Sequence, residues 1–222
     1  MYENEDNDNI IEIKTIVLGE HAVGKTNLIN VAIGEEFNES SKPTLSAFYV
    51  QKKFTINRKN YLMKIWDTAG MEKFRSLTKL FYKDSKIIIF VYDITRQETF
   101  DELEFWTKVI ETNLKDSYVI GIVGNKTDLF DKEEVDEFKA RDYAKNKRGF
   151  FKLVSAKENP KSFISFLEGM LKNYIKKRNT VIKKDKDKVE KVKLNKKSVK
   201  KKIIVVFSRN KNDIFFGKYN LD

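Results

Sequence analysis

The octapeptide GEHAVGKT, residues 19–26, fits the pattern G-x-x-x-x-G-K-[ST]. It follows a β-branched, apolar segment, residues 10–18, and opens a segment whose apolar residues recur at helical spacing. A strand, a glycine-bearing loop and a helix in this order are the context in which that pattern binds phosphate groups. Backbone N–H groups at the start of the helix point at the phosphates, and Gly24 has no side chain to block their approach. The pattern therefore predicts a nucleotide site in which Lys25 contacts the β- and γ-phosphate oxygens and the Thr26 hydroxyl binds Mg²⁺.

The rest of the chain alternates strand and helix patterns. The first two of the remaining predicted strands flank the tetrapeptide NRKN and are expected to form an antiparallel hairpin. The next two are continuous apolar runs, which are typical of strands covered on both faces. This order predicts an α/β sandwich with a mostly parallel sheet, whose ligands lie at the carboxyl ends of the strands. We predict these strands at residues 47–56, 61–66, 86–92, 118–123 and 150–154, and helices at residues 98–112, 133–146 and 161–178.

The composition excludes several kinds of site and segment. The chain has 222 residues and no cysteine, which excludes disulfides, thiolate zinc sites, thiol nucleophiles and cysteine lipidation. No apolar run approaches the ~20 residues that span a bilayer, and residues 1–9 are acidic rather than signal-like. Tyr2 stands where N-myristoylation requires glycine. We therefore expect an intracellular protein, cytoplasmic or peripheral on the cytoplasmic face of membranes.

The net charge of +11 is confined to one segment. Of the 44 basic and 33 acidic residues, 14 and 3 respectively lie between Lys176 and Lys202, so the rest of the chain is neutral. We predict an acidic extension at residues 1–9, a globular domain at residues 10–178 and a lysine-rich, largely disordered tail at residues 179–222. The tail can make weak, salt-sensitive contact with an anionic membrane, or it is solvated and has no partner. Its basic part lacks an aromatic residue for base stacking, so we expect no specific nucleic-acid binding.

Polar motifs follow three of the predicted strands. DTAG, residues 67–70, places Asp67 where it can hold the water shell of a metal ion and Gly70 where its N–H can meet a γ-phosphate, although DTAG alone is more typical of a turn. NKTD, residues 125–128, ends with a carboxylate that can accept both N–H groups on one edge of guanine, which favours GTP over ATP. SAK, residues 155–157, would place a backbone N–H near the guanine O6. We therefore predict a guanine-nucleotide site at this edge of the sheet.

These motifs, together with YDIT at residues 92–95, occur in an order and at separations that resemble those of a Ras-like small GTPase, most of all its Rab branch. The resemblance covers residues 10–178. It implies a P-loop NTPase of the small G domain class, α/β, with a six-stranded, mostly parallel sheet flanked by about five helices. It further implies that the domain binds GTP or GDP with Mg²⁺ and cycles between two conformations of two switch loops.

Some site residues are assigned by the resemblance alone. Thr44 matches the switch I threonine that binds Mg²⁺ and meets the γ-phosphate, and Phe37 matches the aromatic that stacks on guanine. Taken by themselves, the first is typical of a loop and the second of a core. Tyr49, Trp66 and Phe81 match three aromatics through which Rab proteins contact effectors, although packing is the usual role of an aromatic on an alternating strand.

The predicted functional residues form four overlapping sets. Metal-binding oxygens are expected at Thr26, Thr44 and Asp67, catalytic roles at Lys25, Thr44 and Gly70, and effector contacts at Tyr49, Trp66 and Phe81. Nucleotide-binding residues are expected at Gly19, Glu20, His21, Ala22, Val23, Gly24, Lys25, Thr26, Phe37, Thr44, Asp67, Gly70, Asn125, Lys126, Asp128, Ser155, Ala156 and Lys157.

Three features depart from the family pattern. His21, the single histidine, stands in the phosphate loop, where it either crowds the γ-phosphate or is simply tolerated. Met71 stands at the position of the glutamine that orients the attacking water in Ras, the system from which this role is known. A thioether is a weak acceptor and no donor, so we expect slow intrinsic hydrolysis. The basic segment after residue 178 lacks the cysteines through which Rab proteins are prenylated.

The sequence thus predicts a Rab-like molecular switch that hydrolyses GTP slowly and regulates vesicle traffic by recruiting effectors. Its expected partners are effectors, an exchange factor and a GTPase-activating protein that supplies its own arginine and glutamine, and we expect a monomer. Two alternatives stay open. One is a GTP-binding scaffold with negligible hydrolysis, favoured by the pairing of His21 with Met71. The other is an adaptor that acts through its basic tail.

Overall fold

A six-stranded sheet organises the first of two units in the computed structural model. The chain divides into Met1–Ile175 and Lys176–Asp222, and each unit is described by itself. The structure describes residues 10–41, 44, 48–68, 81–114, 117–200, 204–210 and 213–218, with the side chains of those up to residue 183. The predicted site residues Gly70 and Met71 lie outside the described residues.

Counted along the chain, the strands of the first unit lie in the order two, three, one, four, five, six. Every neighbouring pair is parallel except the second strand with the third. The fold prediction of a mostly parallel six-stranded sheet flanked by five helices is confirmed. In chain order the elements are β1 (Ile11–Leu18), α1 (Lys25–Ile33), β2 (Phe48–Ile56), β3 (Lys59–Asp67), β4 (Ile87–Asp93), α2 (Gln97–Asp101), α3 (Leu103–Asn113), β5 (Val119–Asn125), a 3₁₀ helix (Thr127–Lys132), α4 (Glu137–Asn146), β6 (Phe150–Leu153) and α5 (Pro160–Lys200).

Two apolar layers cover the sheet. All seven residues of β4 are buried, because alternate residues of a strand point to opposite faces and both faces are covered here. Residues of α1 and α5, such as Leu28 and Phe163, pack in one layer, and residues of α3 and α4, such as Trp106 and Ala140, pack in the other. The sheet is therefore held rigidly between helices, and its strand ends form a fixed platform.

The glycine-bearing loop follows β1 at the point where the strand order reverses. The neighbours of β1 are β3 on one side and β4 on the other, both parallel to it. In sheets of this kind, ligands bind in the crevice outside the carboxyl ends of the strands at such a reversal. Residues 19–26 therefore lie where the topology alone predicts a binding site.

Some element boundaries differ from those predicted. The hairpin turn is formed by Asn57 and Arg58 alone, both with positive φ, since a two-residue turn of this hand matches the twist of the flanking strands. The helix predicted at residues 98–112 is two helices, α2 and α3, with Glu102 between them. The helix predicted from residue 133 begins later, because the Asp136 carboxylate accepts a hydrogen bond from the Lys139 N–H and caps it.

Helix α5 extends beyond the predicted end at residue 178 and continues to Lys200. The predicted end is wrong because residues 170–200 contain neither glycine nor proline and are rich in lysine, a good helix former. The second unit also contains a hairpin of β7 (Ile204–Asn210) and β8 (Asp213–Lys218). The division into domains at residue 178 stays a prediction. None of the helices in the described part of the chain has the length and apolar content needed to cross a membrane.

Candidate nucleotide-binding site

Two glycines bring the phosphate loop close to neighbouring strands. Gly19 has φ +149°, and a Cβ built there would lie 2.1 Å from the Val91 carbonyl oxygen of β4. Gly24 has φ +93°, and a Cβ there would lie 2.4 Å from Nδ2 of Asn125 at the end of β5. Any other residue would clash at both positions and be strained at both. The two fixed glycines of the pattern therefore set the close packing of the loop.

The Lys25 ammonium lies inside this loop. It donates hydrogen bonds to the main-chain oxygens of Gly19 at 2.8 Å and Glu20 at 2.6 Å, and the side chain is buried. These neutral carbonyl acceptors are weaker than a charged phosphate oxygen. The loop thus holds a buried positive charge among main-chain oxygens, and the contact of Lys25 with phosphate stays a prediction.

Three predicted metal-binding side chains meet beside the loop. The Thr26 hydroxyl donates to Oδ2 of Asp67 at 2.7 Å and lies 2.8 Å from the Thr44 hydroxyl. Thr44 itself donates to the same carboxylate oxygen at 3.5 Å. These residues come from α1, from the segment before β2 and from the end of β3, so only the fold brings their oxygens together.

Of these three residues, Asp67 gives the clearest indication of a cation-binding site. Its side chain is fully buried, and in the described part of the chain Oδ1 has no hydrogen-bond partner. Burial raises the pKa of this carboxyl, and the Thr26 hydroxyl and the Lys25 charge only partly offset that effect. Among the described residues no three His, Cys, Asp or Glu side chains form a metal-binding group. An ion here would therefore rely on one carboxylate, hydroxyls, waters and phosphates, which is the donor set that suits Mg²⁺.

The NKTD and SAK motifs form one connected network. The Asn125 amide donates to the Val23 carbonyl at 2.8 Å and accepts from the Ala156 N–H at 3.3 Å. The Ser155 hydroxyl donates to Oδ1 of Asp128 at 2.6 Å. Ser155 also accepts the N–H of Lys157 at 3.2 Å. Asn125 therefore joins the phosphate loop to both motifs at the edge of the sheet where a base would lie.

Asp93 links the same network to the phosphate loop, although no role was predicted for it. Its buried carboxylate pairs with Nζ of Lys126 at 2.6 Å and with Nε of Arg96 at 3.4 Å. Arg96 in turn donates to the His21 main-chain oxygen at 2.9 Å. Burial alone would raise the pKa of Asp93, but the hydrogen bonds from Lys126 and Thr95 outweigh it and lower the pKa. An aspartate at the end of a fully apolar strand was the signal that could have identified it.

Two further residues predicted to contact the nucleotide are Phe37 and His21. Phe37 is half-buried and packs against the core, which agrees with the packing alternative. The His21 side chain is 65% exposed and lies 3.2 Å from Oε2 of Glu20, so it points into solvent on one side of the loop. Ala22 holds a positive φ of 58° within the same loop.

The three predicted effector residues form one aromatic surface. Tyr49 and Trp66 are cross-strand partners with ring centroids 5.1 Å apart, and Phe81 lies 6.2 Å from Trp66. Tyr49 remains 45% exposed. The ammonium groups of Lys14 and Lys64 lie over the Trp66 and Tyr49 rings, at 5.1 and 5.9 Å from the centroids. The surface exists, and its use by effectors stays a prediction.

The strand order, the phosphate loop and the motif-bearing strand ends define a P-loop nucleotide-binding domain. The model of the Ras family matches residues 14–172, and the chain therefore belongs to that family. It is 40% identical over 148 residues to human Ras-related protein Rab-22A, covering 66% of this chain and 75% of the relative. It is 38% identical over 149 residues to Rab-21 of Geodia cydonium, covering 67% and 65%. It is 33% identical over 168 residues to Rab11C of Nicotiana tabacum, covering 75% and 76%.

These relatives place the chain in the Rab branch of the small GTPases. Proteins of this branch are GTP-binding switches of vesicle traffic, and the predicted class, enzyme type and guanine-nucleotide ligand are thereby confirmed. The Ras family match ends at residue 172, so most of α5 and the β7–β8 hairpin lie beyond it.

Proposed function

We propose that this chain is a Rab-type switch that binds GTP or GDP together with Mg²⁺ and hydrolyses GTP slowly. The meeting of the Thr26, Thr44 and Asp67 oxygens next to the buried Lys25 ammonium supports this proposal best. A carboxylate with a buried, unpartnered oxygen fits a divalent ion, and an ammonium held by neutral carbonyls fits a phosphate. When bound, Mg²⁺ supplies positive charge that neutralises the phosphate oxygens.

The residues of the chain then have separate tasks. Backbone N–H groups of the phosphate loop and Lys25 hold the β- and γ-phosphates and favour the charge that develops on them during transfer. Asp128, fixed by Ser155, accepts the two guanine N–H groups, and Asn125 keeps this base site in register with the phosphate loop. Thr44 and Gly70 respond to the γ-phosphate, so its loss releases the segments that carry them.

Met71 accounts for the slow hydrolysis of GTP. Its sulfur cannot donate a hydrogen bond, so it cannot orient the attacking water as a glutamine would. In single-turnover hydrolysis, Met71→Gln is expected to release phosphate at least roughly tenfold faster than the wild-type chain. Met71→Leu is the matched control and should hydrolyse at the wild-type rate, because leucine also lacks a donor.

Equal rates for the wild-type chain and Met71→Gln would contradict the role given to Met71. Retention of GTP with no phosphate release by either protein would instead favour a nucleotide-binding scaffold. Nucleotide affinity is expected to be the same in all three proteins.

A switch of this kind has partner proteins and a cellular location. The GTP-bound form would recruit effectors through the surface of Tyr49, Trp66 and Phe81, of which Tyr49 is open to solvent. An exchange factor would allow GTP to replace GDP, and an activating protein would supply an arginine and a glutamine for hydrolysis. We place the protein in the cytoplasm or on the cytoplasmic face of a membrane.

A further inference from the structure

Arg96 belongs to none of the predicted sets of functional residues, yet its side chain reaches the phosphate loop. It lies in the turn between β4 and α2, and its Nη2 group donates a hydrogen bond to the His21 main-chain oxygen at 2.9 Å. The two residues are 75 positions apart in the chain, so only the fold brings them together. A hydrogen bond from a charged donor is stronger than one between neutral groups. The side chain of Arg96 thus acts on the main chain of the loop.

The main chain of Arg96 is held by other groups. Its N–H donates to the Asp93 carbonyl at 3.1 Å, and its own carbonyl accepts from the Thr99 N–H at 3.1 Å and from the Thr99 hydroxyl at 2.8 Å. These three bonds do not involve the guanidinium. Replacement of the side chain therefore leaves the turn and the start of α2 in place, so a role of the guanidinium can be separated from a role in folding.

A buried carboxylate directs the guanidinium toward the loop. Oδ2 of Asp93 lies 3.4 Å from Nε of Arg96 and 2.6 Å from Nζ of Lys126, and the Asp93 side chain is 1% exposed. Its other oxygen accepts from the Thr95 N–H and hydroxyl at 3.0 and 2.7 Å. Because the guanidinium is planar and rigid, a fixed position of Nε also sets the direction of Nη2. The donor is thus aimed at His21 by a carboxylate that is itself held on both oxygens.

The His21 oxygen and the Ala22 N–H belong to the same peptide unit. This peptide is trans, so its C=O and N–H bonds point in opposite directions. Ala22 has φ 58°, a left-handed conformation that is unfavourable for a residue other than glycine and persists only where neighbouring groups hold it. Consecutive N–H groups in loops of this kind form a concave site for an anion. By holding the His21 oxygen, Arg96 therefore fixes the direction of one N–H of that site.

We propose that Arg96 is a positioning residue of the nucleotide site, which holds the His21–Ala22 peptide so that the Ala22 N–H faces the β-phosphate. The proposal rests on the proposed binding of guanine nucleotide in the phosphate loop. Arg96 shares its task with Asn125, whose amide donates to the Val23 carbonyl at 2.8 Å. One donor follows β4 and the other ends β5, so two neighbouring strands hold the loop from the same edge of the sheet.

Release of a fluorescent GDP from the full-length chain in Mg²⁺ tests the proposal. Arg96→Gln should release it roughly tenfold faster than the wild-type chain, because a partly buried, charged hydrogen bond to the loop is lost. Arg141→Gln on α4 is the matched control, since it removes the same charge from an arginine that pairs with the Glu137 carboxylate. The control should release GDP at the wild-type rate.

A second variant, Arg96→Lys, separates position from charge. Lysine keeps the positive charge and can pair with Asp93, but it has a single ammonium in place of the planar fork that meets both Asp93 and the His21 oxygen. This variant should therefore release GDP nearly as fast as Arg96→Gln. If Arg96 acted only by attracting the phosphates, Arg96→Lys would instead release GDP at the wild-type rate.

Two ligands and one spectrum locate the effect at the β-phosphate. In Arg96→Gln, the affinity for pyrophosphate should fall roughly tenfold, whereas the affinity for GMP, which has no β-phosphate, should stay within about twofold of the wild-type value. Calorimetric titration measures both. The phosphorus NMR resonance of the β-phosphate in bound GDP should move in both Arg96 variants and stay in place in Arg141→Gln. A general loosening of the domain would lower the affinity for GMP as well.

Several outcomes would overturn the role given to Arg96. They are equal GDP release by Arg96→Gln and Arg141→Gln, a wild-type rate in Arg96→Lys, an equal loss of affinity for GMP and GDP, or an unshifted β-phosphate resonance. Urea unfolding of the nucleotide-free Arg96 variants should match the wild-type chain, and a large loss of stability would contradict the proposal too.

The test also distinguishes this proposal from the proposed switch. A wild-type chain that retains no guanine nucleotide would contradict the switch. Titration with pyrophosphate would then still decide the role of Arg96, because equal affinity in the wild-type chain and Arg96→Gln would contradict it.

Discussion

Replacing Asn125 with alanine should destabilise the domain even in the absence of nucleotide. The amide makes two hydrogen bonds, to the Val23 carbonyl at 2.8 Å and from the Ala156 N–H at 3.3 Å, and Asn125, Val23 and Ala156 are all buried. Each main-chain group left unpaired costs about 1–3 kcal/mol. Because water can enter the space left by the amide, we expect a loss of about 2–4 kcal/mol in the free energy of unfolding.

Urea unfolding of the nucleotide-free protein in EDTA measures this loss. The matched control is Asn113→Ala, whose amide donates to the Val109 carbonyl at 2.8 Å on the exposed surface of α3. This control should lose no more than about 0.5 kcal/mol of the free energy of unfolding. In both variants that free energy should fall with urea concentration at the same slope as in the wild-type chain. If Asn125→Ala unfolds at the same urea concentration as the control, the side chain of Asn125 does not hold the phosphate loop and the SAK segment to the end of β5.

Three further predictions concern the aspartates of the site. Asp128→Asn turns an acceptor into a donor, so GTP affinity should fall roughly 100-fold or more and affinity for xanthosine triphosphate should rise, as measured by competition binding. Asp93 has a lowered pKa, so its stabilising effect is complete above the ordinary value of 3.8 and is lost as the pH falls through the folded-state value. Asp93→Asn should therefore be less stable than the wild-type chain at neutral pH, and urea unfolding should show the difference shrinking below 3.8. Burial raises the pKa of Asp67, which makes the ionised carboxylate unfavourable at neutral pH. Asp67→Asn should thus melt at a higher temperature in EDTA, whereas its Mg²⁺-dependent affinity for GTP should fall roughly tenfold or more.

The sheet and the phosphate loop could be predicted because each depends on the residue pattern within one short segment of the chain. The spacing of Gly19, Gly24 and Lys25 within eight residues, between a strand and a helix, requires no knowledge of distant residues. The same holds for Asp67, the last residue of β3, and for Asp128, which lies in the 3₁₀ helix just after β5. The structure places these residues at the ends of strands or at the start of α1, and their contacts with a nucleotide stay a prediction.

Features that depend on tertiary contacts were not predicted. The role of Asp93 arises only when Lys126 of the next strand end and Arg96 of the following loop meet its carboxylate. The late start of α4 depends on the cap at Asp136, which competes with the helical pattern before it. Helix α5 passes residue 178 because nothing in its sequence stops it, although the segment resembles a disordered tail in composition.

The nucleotide retained by the purified chain tests the central claim most directly. After gel filtration in Mg²⁺, the protein should carry about one equivalent of guanine nucleotide, identified by chromatography after denaturation. Addition of EDTA should accelerate release of this nucleotide, because Thr26 and Asp67 would hold the metal and the metal would neutralise charge on the phosphates. An adenine nucleotide, no nucleotide, or a rate of release that EDTA leaves unchanged would contradict a Mg²⁺-dependent guanine-nucleotide switch.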